Sequence, residues 1–249
     1  MVWTVDDIPS QEGRVALVTG ANSGLGLATA RAMSARGATV IMACRSRRKA
    51  ETARTQLLEA GLTGLDLLEL DLADLNSVQR AAAEVSDRYG HLDLLFNNAG
   101  VMAPPRQLTV QGHELQLGVN HLGQMSLTLE LEARQQEQGG GIRSLAAHPG
   151  LARTDLQPTA IASGGNRLEA VAYRLMDPLF QSAAMGALPQ LHAATAATAQ
   201  GGEHYGPDQL GGMRGHPTRC RIAPAALDRE QRQRLWQLSE ELAGGLLMP

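Results

Sequence analysis

Short apolar runs recur along this chain and are separated by longer stretches with helical spacing. The runs rich in β-forming residues stand at 14–19, 39–43, 65–70, 92–96 and 142–147. Runs of this length without polar alternation are typical of strands that are buried on both faces of a parallel sheet. The pattern therefore predicts an α/β chain with a doubly wound, Rossmann-type parallel sheet.

A glycine-rich loop joins the first predicted strand to a helix predicted over 27–35. Glycine lets phosphates approach the backbone and lets the helix pack closely on the strand. The N-terminus of a helix adds free N–H groups and the positive end of its dipole. An ordinary turn would not require strand, loop and helix in this order. We therefore predict a diphosphate site formed by Gly20, Asn22, Ser23, Gly24, Leu25 and Gly26.

Basic residues follow the second predicted strand in the run Cys44-Arg45-Ser46-Arg47-Arg48-Lys49. An NAD site would carry Asp or Glu here to accept from the ribose 2′-hydroxyl, whereas arginine suits a 2′-phosphate. Arg45 is the predicted phosphate ligand, with Arg48 or Lys49 as a second cation, so NADP(H) is favoured over NAD. A solvated helix start is the alternative interpretation for Arg47.

The interval between the fourth and fifth apolar runs has room for one crossover helix, because a βαβ unit takes about 30 residues or more. A single right-handed crossover is topologically allowed. We expect a helix over about 113–138 that ends at residues 139–141. Its apolar positions keep helical phase, and they are Leu115, Val119, Leu122, Met125, Leu129 and Ala133.

The 249 residues suffice for one domain with a sizeable core. We expect a single domain over 1–249, with a cofactor half over about 1–125 and a substrate lid and C-terminal part over about 150–249. The latter is predicted to contain a helix over 183–199, a strand at 203–205 and a final helix capped by Asp228. The apolar stripe of that helix consists of Leu235, Leu238 and Leu242.

Composition narrows the partners and the compartment. The net charge is −3, so no nucleic-acid partner is expected. No apolar run reaches the roughly 18 residues of a membrane span, and the N-terminus lacks a basic, then apolar, signal pattern. The two cysteines, Cys44 and Cys220, argue against a disulfide framework, and no Cys/His spacing suggests a metal. We predict a cytoplasmic protein.

Further motifs stand at the ends of the later runs. Asp71 follows the third, Asn97-Asn98-Ala99-Gly100 follows the fourth, and Pro149-Gly150 with Thr154 follows the fifth, while Asn120 lies in Gly118-Val119-Asn120-His121. With the glycine loop, they resemble the short-chain dehydrogenases/reductases, in the branch that contains retinol dehydrogenases and light-dependent protochlorophyllide reductases. The resemblance covers nearly the whole chain.

The resemblance implies a role for each motif. Asn120 would be the active-site asparagine that helps to organise a proton-relay water. Each of the motif residues could instead be structural, and we predict this for Asn97, which would tie neighbouring strands together. The cofactor contacts would be made by Gly20, Ser23, Gly24 and Gly26 at the diphosphate, Arg45 at the 2′-phosphate, Asp71 and Leu72 at the adenine, Asn98, Ala99 and Gly100 at the ribose, and Pro149, Gly150 and Thr154 at the nicotinamide end.

The chain departs from this family at its catalytic segment. The family's chemistry needs a Ser and a Tyr-x-x-x-Lys pair, in which the ammonium lowers the pKa of the phenol. Here the tyrosines are Tyr89, Tyr173 and Tyr205, and Lys49 is the sole lysine. We infer a deletion of about one βα unit, joined near Leu127. Tyr173, Tyr205 and His148 could replace the lost catalyst, although packing is the default interpretation for each.

Three interpretations stay open. The chain is an NADP(H)-dependent oxidoreductase of apolar carbonyls or alcohols, a non-enzymatic NADP(H)-binding sensor or partner protein, or a chain that lacks a segment of its native form. For the chain as given, we favour cofactor binding with activity lost or severely reduced. Homo-oligomer formation is left open, because the resemblance implies dimer helices that are fused here.

Overall fold

The computed structural model describes residues 2–136, 142–153 and 180–243. Thr154, which we predict at the nicotinamide end, lies outside the described residues, as do Tyr173 and the glycines at 139–141.

Four parallel strands form the central sheet. They are β1 (Val15–Thr19), β2 (Thr39–Cys44), β3 (Leu65–Glu69) and β4 (Leu94–Phe96), in the order β3-β2-β1-β4. In register, Thr19 lies beside Ala43, and Val18 lies beside Phe96. The predicted α/β fold with a Rossmann-type parallel sheet is confirmed, and each of these strands lies within two residues of its predicted bounds.

Helices cover both faces of this sheet. The first three are α1 (Gly24–Ala35), α2 (Arg47–Glu59) and α3 (Leu75–Tyr89). Ala16 and Val18 point into the core beside α1 and α2, whereas Val15 and Leu17 point into the core beside α3. Successive side chains of a strand point to opposite faces, so the unbroken apolar run of β1 reflects burial on both sides.

The predicted long helix is continuous but distorted. It runs as α4 (Leu115–Leu117), a π-helical turn (Gly118–Leu122) and α5 (Gly123–Gln136). Leu129 of the predicted apolar face is buried beyond the turn, but Ala133 is exposed, so the prediction is wrong there. Leu127 and Leu131, which the prediction left out, are buried against α3 and the sheet. A π-turn spans i→i+5 hydrogen bonds, and this wider turn accompanies the change of face.

A second, three-stranded sheet follows. It consists of β5 (Ala146–Ala147), β6 (His204–Gln209) and β7 (Arg214–Arg219), in which β6 pairs parallel to β5 and antiparallel to β7. The predicted strand at 142–147 is therefore reduced to two residues, the strand at 203–205 is longer than predicted, and β7 was not predicted at all. Within the described residues, β4 and β5 are not paired, so the parallel arrangement is interrupted between them.

The remaining helices are α6 (Ala183–Thr195), α7 (Pro224–Leu227) and α8 (Arg229–Leu242), with 3₁₀ turns at Val5–Asp7 and Leu210–Gly212. Asp228 caps α8 as predicted, since its Oδ1 accepts from the N–H of Gln231 at 3.0 Å. The predicted apolar stripe of α8 is wrong: Leu235 and Leu238 are exposed, and Ser239 is the side chain buried against the long helix, where its Oγ lies 2.7 Å from Nε2 of His121.

No helix within residues 2–136, 142–153 and 180–243 is both long and apolar enough to cross a membrane. The same residues contain no group of three or more His, Cys, Asp or Glu side chains arranged to hold a metal ion.

Candidate cofactor site

The carboxyl ends of β1 to β4 lie at one edge of the central sheet, because the four strands are parallel. Ligands of open α/β sheets bind outside this edge. Gly20, Arg45, Asp71 and Asn98 each stand within two residues of a strand end. The fold therefore brings four of the predicted cofactor positions to the same edge.

The glycine loop is shaped by close contacts. Gly20 has φ +68° and donates its N–H to the carbonyl of Ala43 at 2.8 Å. A Cβ on Gly26 would collide with the backbone oxygen of Gly20 and would lie 2.6 Å from Nδ2 of Asn98. No side chain fits at Gly26 without moving α1 away from β1, as the sequence predicted.

The first turn of α1 keeps its N–H groups available. Ser23 is the N-cap residue, and within the part of the chain that the structure describes its side chain makes no capping hydrogen bond. Helix N-termini carry unsatisfied N–H donors and a partial positive charge. An anion above Ser23, Gly24 and Leu25 would satisfy these donors, so this loop fits a diphosphate.

Cys44 lies beneath the loop. Its side chain is 3% exposed, and burial raises the pKa of the thiol to about 11 even though the backbone N–H groups of Ala21 and Asn22 donate to it. The thiol is therefore protonated at neutral pH and packs under the loop. It supports the position of the loop and is not a nucleophile.

The basic run forms an exposed start of α2. Ser46 caps this helix by accepting from the N–H of Lys49 at 3.4 Å, and Arg47 pairs with Glu51 at 3.0 Å. Arg45 is exposed directly after β2, and no ion-pair partner for it occurs among the described residues. Arg45, Arg48 and Lys49 are thus exposed cations that form no ion pair with another described residue, whereas Arg47 pairs with Glu51 of α2.

Asp71 is held in a tight turn after β3. Its Oδ1 accepts from the N–H of Ala73 at 2.9 Å, and its own N–H donates to Oγ of Ser77 at 3.1 Å. Leu72 is buried, and its carbonyl touches Gly123, where a Cβ would clash. The turn is rigid, and α5 begins against it.

Thr19 organises the turn after β4. Its Oγ1 accepts from the N–H groups of Asn98 and Ala99, both at 2.9 Å, while Nδ2 of Asn98 donates to the carbonyl of Thr19 at 2.9 Å. The prediction that Asn97 ties neighbouring strands together is wrong. Nδ2 of Asn97 donates to Oγ1 of Thr128 on α5 at 2.9 Å, and Asn98 is the residue that joins β1 to β4.

Asn120 lies in the π-helical turn and is exposed. Its amide pairs with the backbone of Val101, with Oδ1 accepting from the N–H at 2.8 Å and Nδ2 donating to the carbonyl at 2.8 Å. A Cβ on Gly100 would lie 3.2 Å from this Oδ1. Asn120 therefore fixes the segment that follows Asn98 and Ala99.

The segment after β5 is anchored by the second sheet. Gly150 has φ +62°, and a Cβ there would collide with the carbonyl of Met213. The carbonyl of Pro149 accepts from Nε2 of Gln181 at 2.8 Å. His148 packs on Gly206 of β6, and burial, with a smaller contribution from His204, lowers its pKa. His148 is therefore a packed, neutral side chain.

Gln190 on α6 links the two parts of the site. Its Nε2 donates to Oγ1 of Thr29 on α1 and lies 3.3 Å from Oδ1 of Asn98. Sequence reasoning missed Gln190, Gln124 and Thr19, because a glutamine or threonine on a predicted helix or strand carries no local signal of such contacts. Gln124 lies at the same junction, with Nε2 donating to the carbonyl of Ala99 at 2.8 Å.

Neither described tyrosine is free to transfer a proton. The hydroxyl of Tyr205 donates to Oε2 of Glu203 at 2.6 Å, and burial together with this bond raises its pKa to about 12. The hydroxyl of Tyr89 donates to Asp66 at 2.6 Å, and its pKa is also raised, first by burial. Both phenols hold their protons in internal hydrogen bonds.

The residues at this edge of the sheet are shared with a known protein family. The model of the short-chain dehydrogenase family matches residues 14–143, which contain the glycine loop, Arg45, Asp71, Asn98 and Asn120. This chain belongs to the short-chain dehydrogenase family.

Individual relatives of this short-chain dehydrogenase agree. It is 48% identical over 127 residues to a short-chain dehydrogenase/reductase of Armillaria gallica, a match that covers 51% of this chain and 41% of the relative's length. It is 29% identical over 290 residues to human retinol dehydrogenase 12, covering 93% of this chain and 87% of that protein. The predicted retinol dehydrogenase-like branch is therefore confirmed.

Among solved structures, the crystal structure of an uncharacterized protein from Mycobacterium paratuberculosis is similar, with a TM-score of 0.74 and 33% identity, covering 98% of each chain. The arrangement of the described residues, from the glycine loop to the second sheet, is thus similar to that of another solved structure.

Proposed function

We propose that this short-chain dehydrogenase binds NADP(H) and that its hydride transfer is absent or severely reduced. The observation that carries the proposal is a contrast. The glycine loop packs closely on β1 and leaves the first N–H groups of α1 uncapped, yet the 249 residues contain no Tyr-x-x-x-Lys pair. When bound, the cofactor would supply or accept a hydride, with an apolar carbonyl or alcohol as the substrate class.

Cofactor binding is supported by the donors at the edge. Ser23 leaves the first N–H groups of α1 uncapped, and glycine at positions 20 and 26 gives a diphosphate room to approach. Arg45 would hold the 2′-phosphate through charge-assisted hydrogen bonds, with Lys49 one helical turn into α2. Asp71 and Leu72 would line the adenine side, and Asn98 to Gly100 would present their backbone to the ribose. Pro149, Gly150 and Thr154 would hold the nicotinamide end.

Loss of chemistry is supported by what the tyrosines and the lysine do. Burial, together with donation to a carboxylate, raises the pKa of the phenols of Tyr89 and Tyr205. A useful general acid has a pKa near the working pH. Lys49 lies at the start of α2, so no ammonium accompanies either phenol. Asn120 would remain as the family's active-site side chain, with its amide bound to Val101.

The match to human retinol dehydrogenase 12 bears on why the Tyr-x-x-x-Lys segment is absent from this chain. It extends over 290 positions, more than the 249 residues of this chain, so the alignment must contain positions at which this chain has no residue. This supports an internal deletion. Two alternatives are compatible with such a deletion. The chain is a non-enzymatic NADP(H) sensor or partner protein, or its native form contains the missing segment.

A titration tests cofactor choice. NADPH and NADH binding is measured by cofactor fluorescence for wild type, Arg45→Asp and the control Arg47→Asp, which loses only the surface pair with Glu51. Because a hydrogen bond to a charged group contributes about 1.5–3 kcal/mol, Arg45→Asp should lower the NADPH-to-NADH affinity ratio by about 10- to 100-fold. An unchanged ratio would refute the role of Arg45.

Activity is measured separately, with the protein in excess over a long-chain aldehyde and NADPH. We expect NADPH oxidation no faster than in the mixture without protein, and a faster rate would refute the loss of catalysis. The intact mass of the protein from its native source is then compared with 26.4 kDa. A mass larger by a few kilodaltons, about one βα unit, would show that the native form contains a further segment.

A further inference from the structure

Gln181 is a buried polar residue at the start of α6. The residue is 5% exposed, and it directly precedes Ser182, the N-cap of that helix. The proposed function assigns no role to it. A buried side-chain amide is costly unless its donor and its acceptor are both bonded, so the partners of Gln181 indicate what it does.

The side chain of Gln181 joins two separate segments of the chain. Its Nε2 donates to the carbonyl of Pro149 after β5 at 2.8 Å, and its Oε1 accepts from the buried N–H of Gly215 on β7 at 2.9 Å. A carbonyl can only accept and a backbone N–H can only donate. The two partners therefore admit a single orientation of the amide, in which both of its ends are used.

The backbone of Gln181 holds the same segment after β5. Its N–H donates to the carbonyl of Leu151, and its carbonyl accepts from the N–H of Arg153, both at 2.8 Å. These bonds form a short parallel bridge in which Gln181 lies beside Ala152. One residue thus fixes the chain from 149 to 153 through both its side chain and its backbone.

The peptide group between Pro149 and Gly150 depends on the side chain of Gln181. The carbonyl of this peptide group is bonded to Nε2 of Gln181, and its N–H donates to Nδ1 of His148 at 3.3 Å. Without the amide of Gln181, the carbonyl would lose this partner, and the orientation of the peptide group would rest on the longer of the two bonds. The side chain therefore determines how this peptide group is presented.

Helix α6 closes one side of the segment. A Cβ on Gly186 would lie 2.5 Å from Cβ of Ala152 and 3.5 Å from Cβ of Pro149. The segment therefore has little room to move toward α6. Gln181 stands directly before this helix, so the helix and the amide act on the segment together.

The adenosine end of the proposed cofactor site is built on other elements. Arg45 follows β2, and the turn at Asp71 after β3 is held by bonds to Ala73 and Ser77. In contrast, Pro149 and Gly150 follow β5 of the second sheet. A change at Gln181 should therefore reach one end of a bound dinucleotide and leave the other end in place.

We propose that Gln181 is a positioning residue for the nicotinamide end of the cofactor and acts through the Pro149–Gly150 peptide group. The inference rests on the proposed function, in which NADP(H) binds along the edge with its nicotinamide end beside these two residues. Gln181 orients the backbone that would contact the cofactor, and it is not itself a cofactor ligand.

The test compares NADPH with 2′,5′-ADP, which carries the adenosine end and the 2′-phosphate but lacks the nicotinamide. Calorimetric titration measures the binding of both to wild type and to Gln181→Met, which removes the donor and the acceptor at similar side-chain length. Loss of a hydrogen bond that leaves its partner unsatisfied changes an equilibrium constant by about fivefold or more. We expect NADPH affinity to fall by at least about fivefold and 2′,5′-ADP affinity to stay within about twofold of wild type.

The matched control is Gln233→Met on the exposed side of α8, which should leave both affinities unchanged. The emission of bound NADPH gives a second readout, because it reports the surroundings of the nicotinamide ring. At saturation, the emission should move toward that of free NADPH in Gln181→Met and should stay as in wild type in the control.

The outcomes separate this inference from the proposed function. An equal loss of affinity for both ligands would show that Gln181 only supports the fold, and it would overturn the inference, as would unchanged NADPH affinity. Failure of wild type to bind either ligand would refute cofactor binding itself, and the inference with it. If Gln181→Met does not fold, Gln181→Glu keeps an acceptor for Gly215 but loses the donor to Pro149, and it should show the same selective loss of NADPH affinity.

Discussion

Replacing Gly26 with alanine tests whether the contact between α1 and the strand ends maintains the cofactor edge. The added Cβ would overlap the backbone oxygen of Gly20 and lie 2.6 Å from Nδ2 of Asn98. Neither atom can yield easily, since Gly20 is bonded to Ala43 and Asn98 to Thr19. Overpacking of a well-packed site costs about 1–3 kcal/mol. We expect that loss of stability together with weaker NADPH binding.

Urea denaturation measures the cost, because a lower midpoint with an unchanged slope reports lost stability. The matched control is Gly201→Ala, where the nearest atom to the new Cβ is 3.8 Å away. It should be within about 0.5 kcal/mol of wild type, as surface substitutions usually are. If Gly26→Ala behaves like this control in both stability and NADPH affinity, the close approach of α1 has no role in shaping the site.

Three further outcomes follow from titratable groups. The hydrogen bond from Tyr205 lowers the pKa of the Glu203 carboxyl, so the ionised carboxylate stabilises the fold above about pH 4.5 and this effect is lost on acidification. The urea midpoint of wild type should therefore fall more steeply below about pH 5 than that of Glu203→Gln. Burial lowers the pKa of His192, so stability should decline as pH falls through about 6.5, and His192→Phe should reduce this decline in thermal melts. Thiol labelling of the native protein with a disulfide reagent should modify Cys220, which is partly exposed, well before buried Cys44; equal rates would contradict the packing of Cys44 under the loop.

The first four strands and the glycine loop could be predicted because their determinants are local. Each strand is an apolar run that ends in a turn. Glycine is required at position 20 by a φ of +68° and at position 26 by the backbone oxygen of Gly20, which belongs to the same βα unit. The Asp228 cap was predictable for the same reason, since it depends on a side chain and an N–H three residues apart.

The errors arise where distant parts of the chain meet. The strand β7 has Gly215 and Pro217 within it, so its sequence resembles a loop, and pairing with β6 creates it. On α8, the exposed Leu235 and Leu238 follow a helical pattern, yet Ser239 faces His121 of the long helix. Asn97 bonds to Thr128 of α5, and Asn98 bonds to Thr19 of β1. The sequence of two adjacent asparagines cannot reveal which of them joins the strands.

The proposed dinucleotide edge does not depend on the family's catalytic segment, because the contacts that build it lie elsewhere. The glycine loop is held by Ala43, Asn98 and Ala99, all on β2 or just after β4. The second part of the chain reaches this edge through Gln190 on α6, which packs on α1 whether or not a strand lies between β4 and β5. The contacts of the glycine loop therefore do not require a strand between β4 and β5, so NADPH binding should tolerate changes beside that space. Ala194→Trp, on the part of α6 that lines it, should bind NADPH as wild type does. A loss of NADPH binding by the folded variant would show that this part of α6 helps to form the cofactor edge.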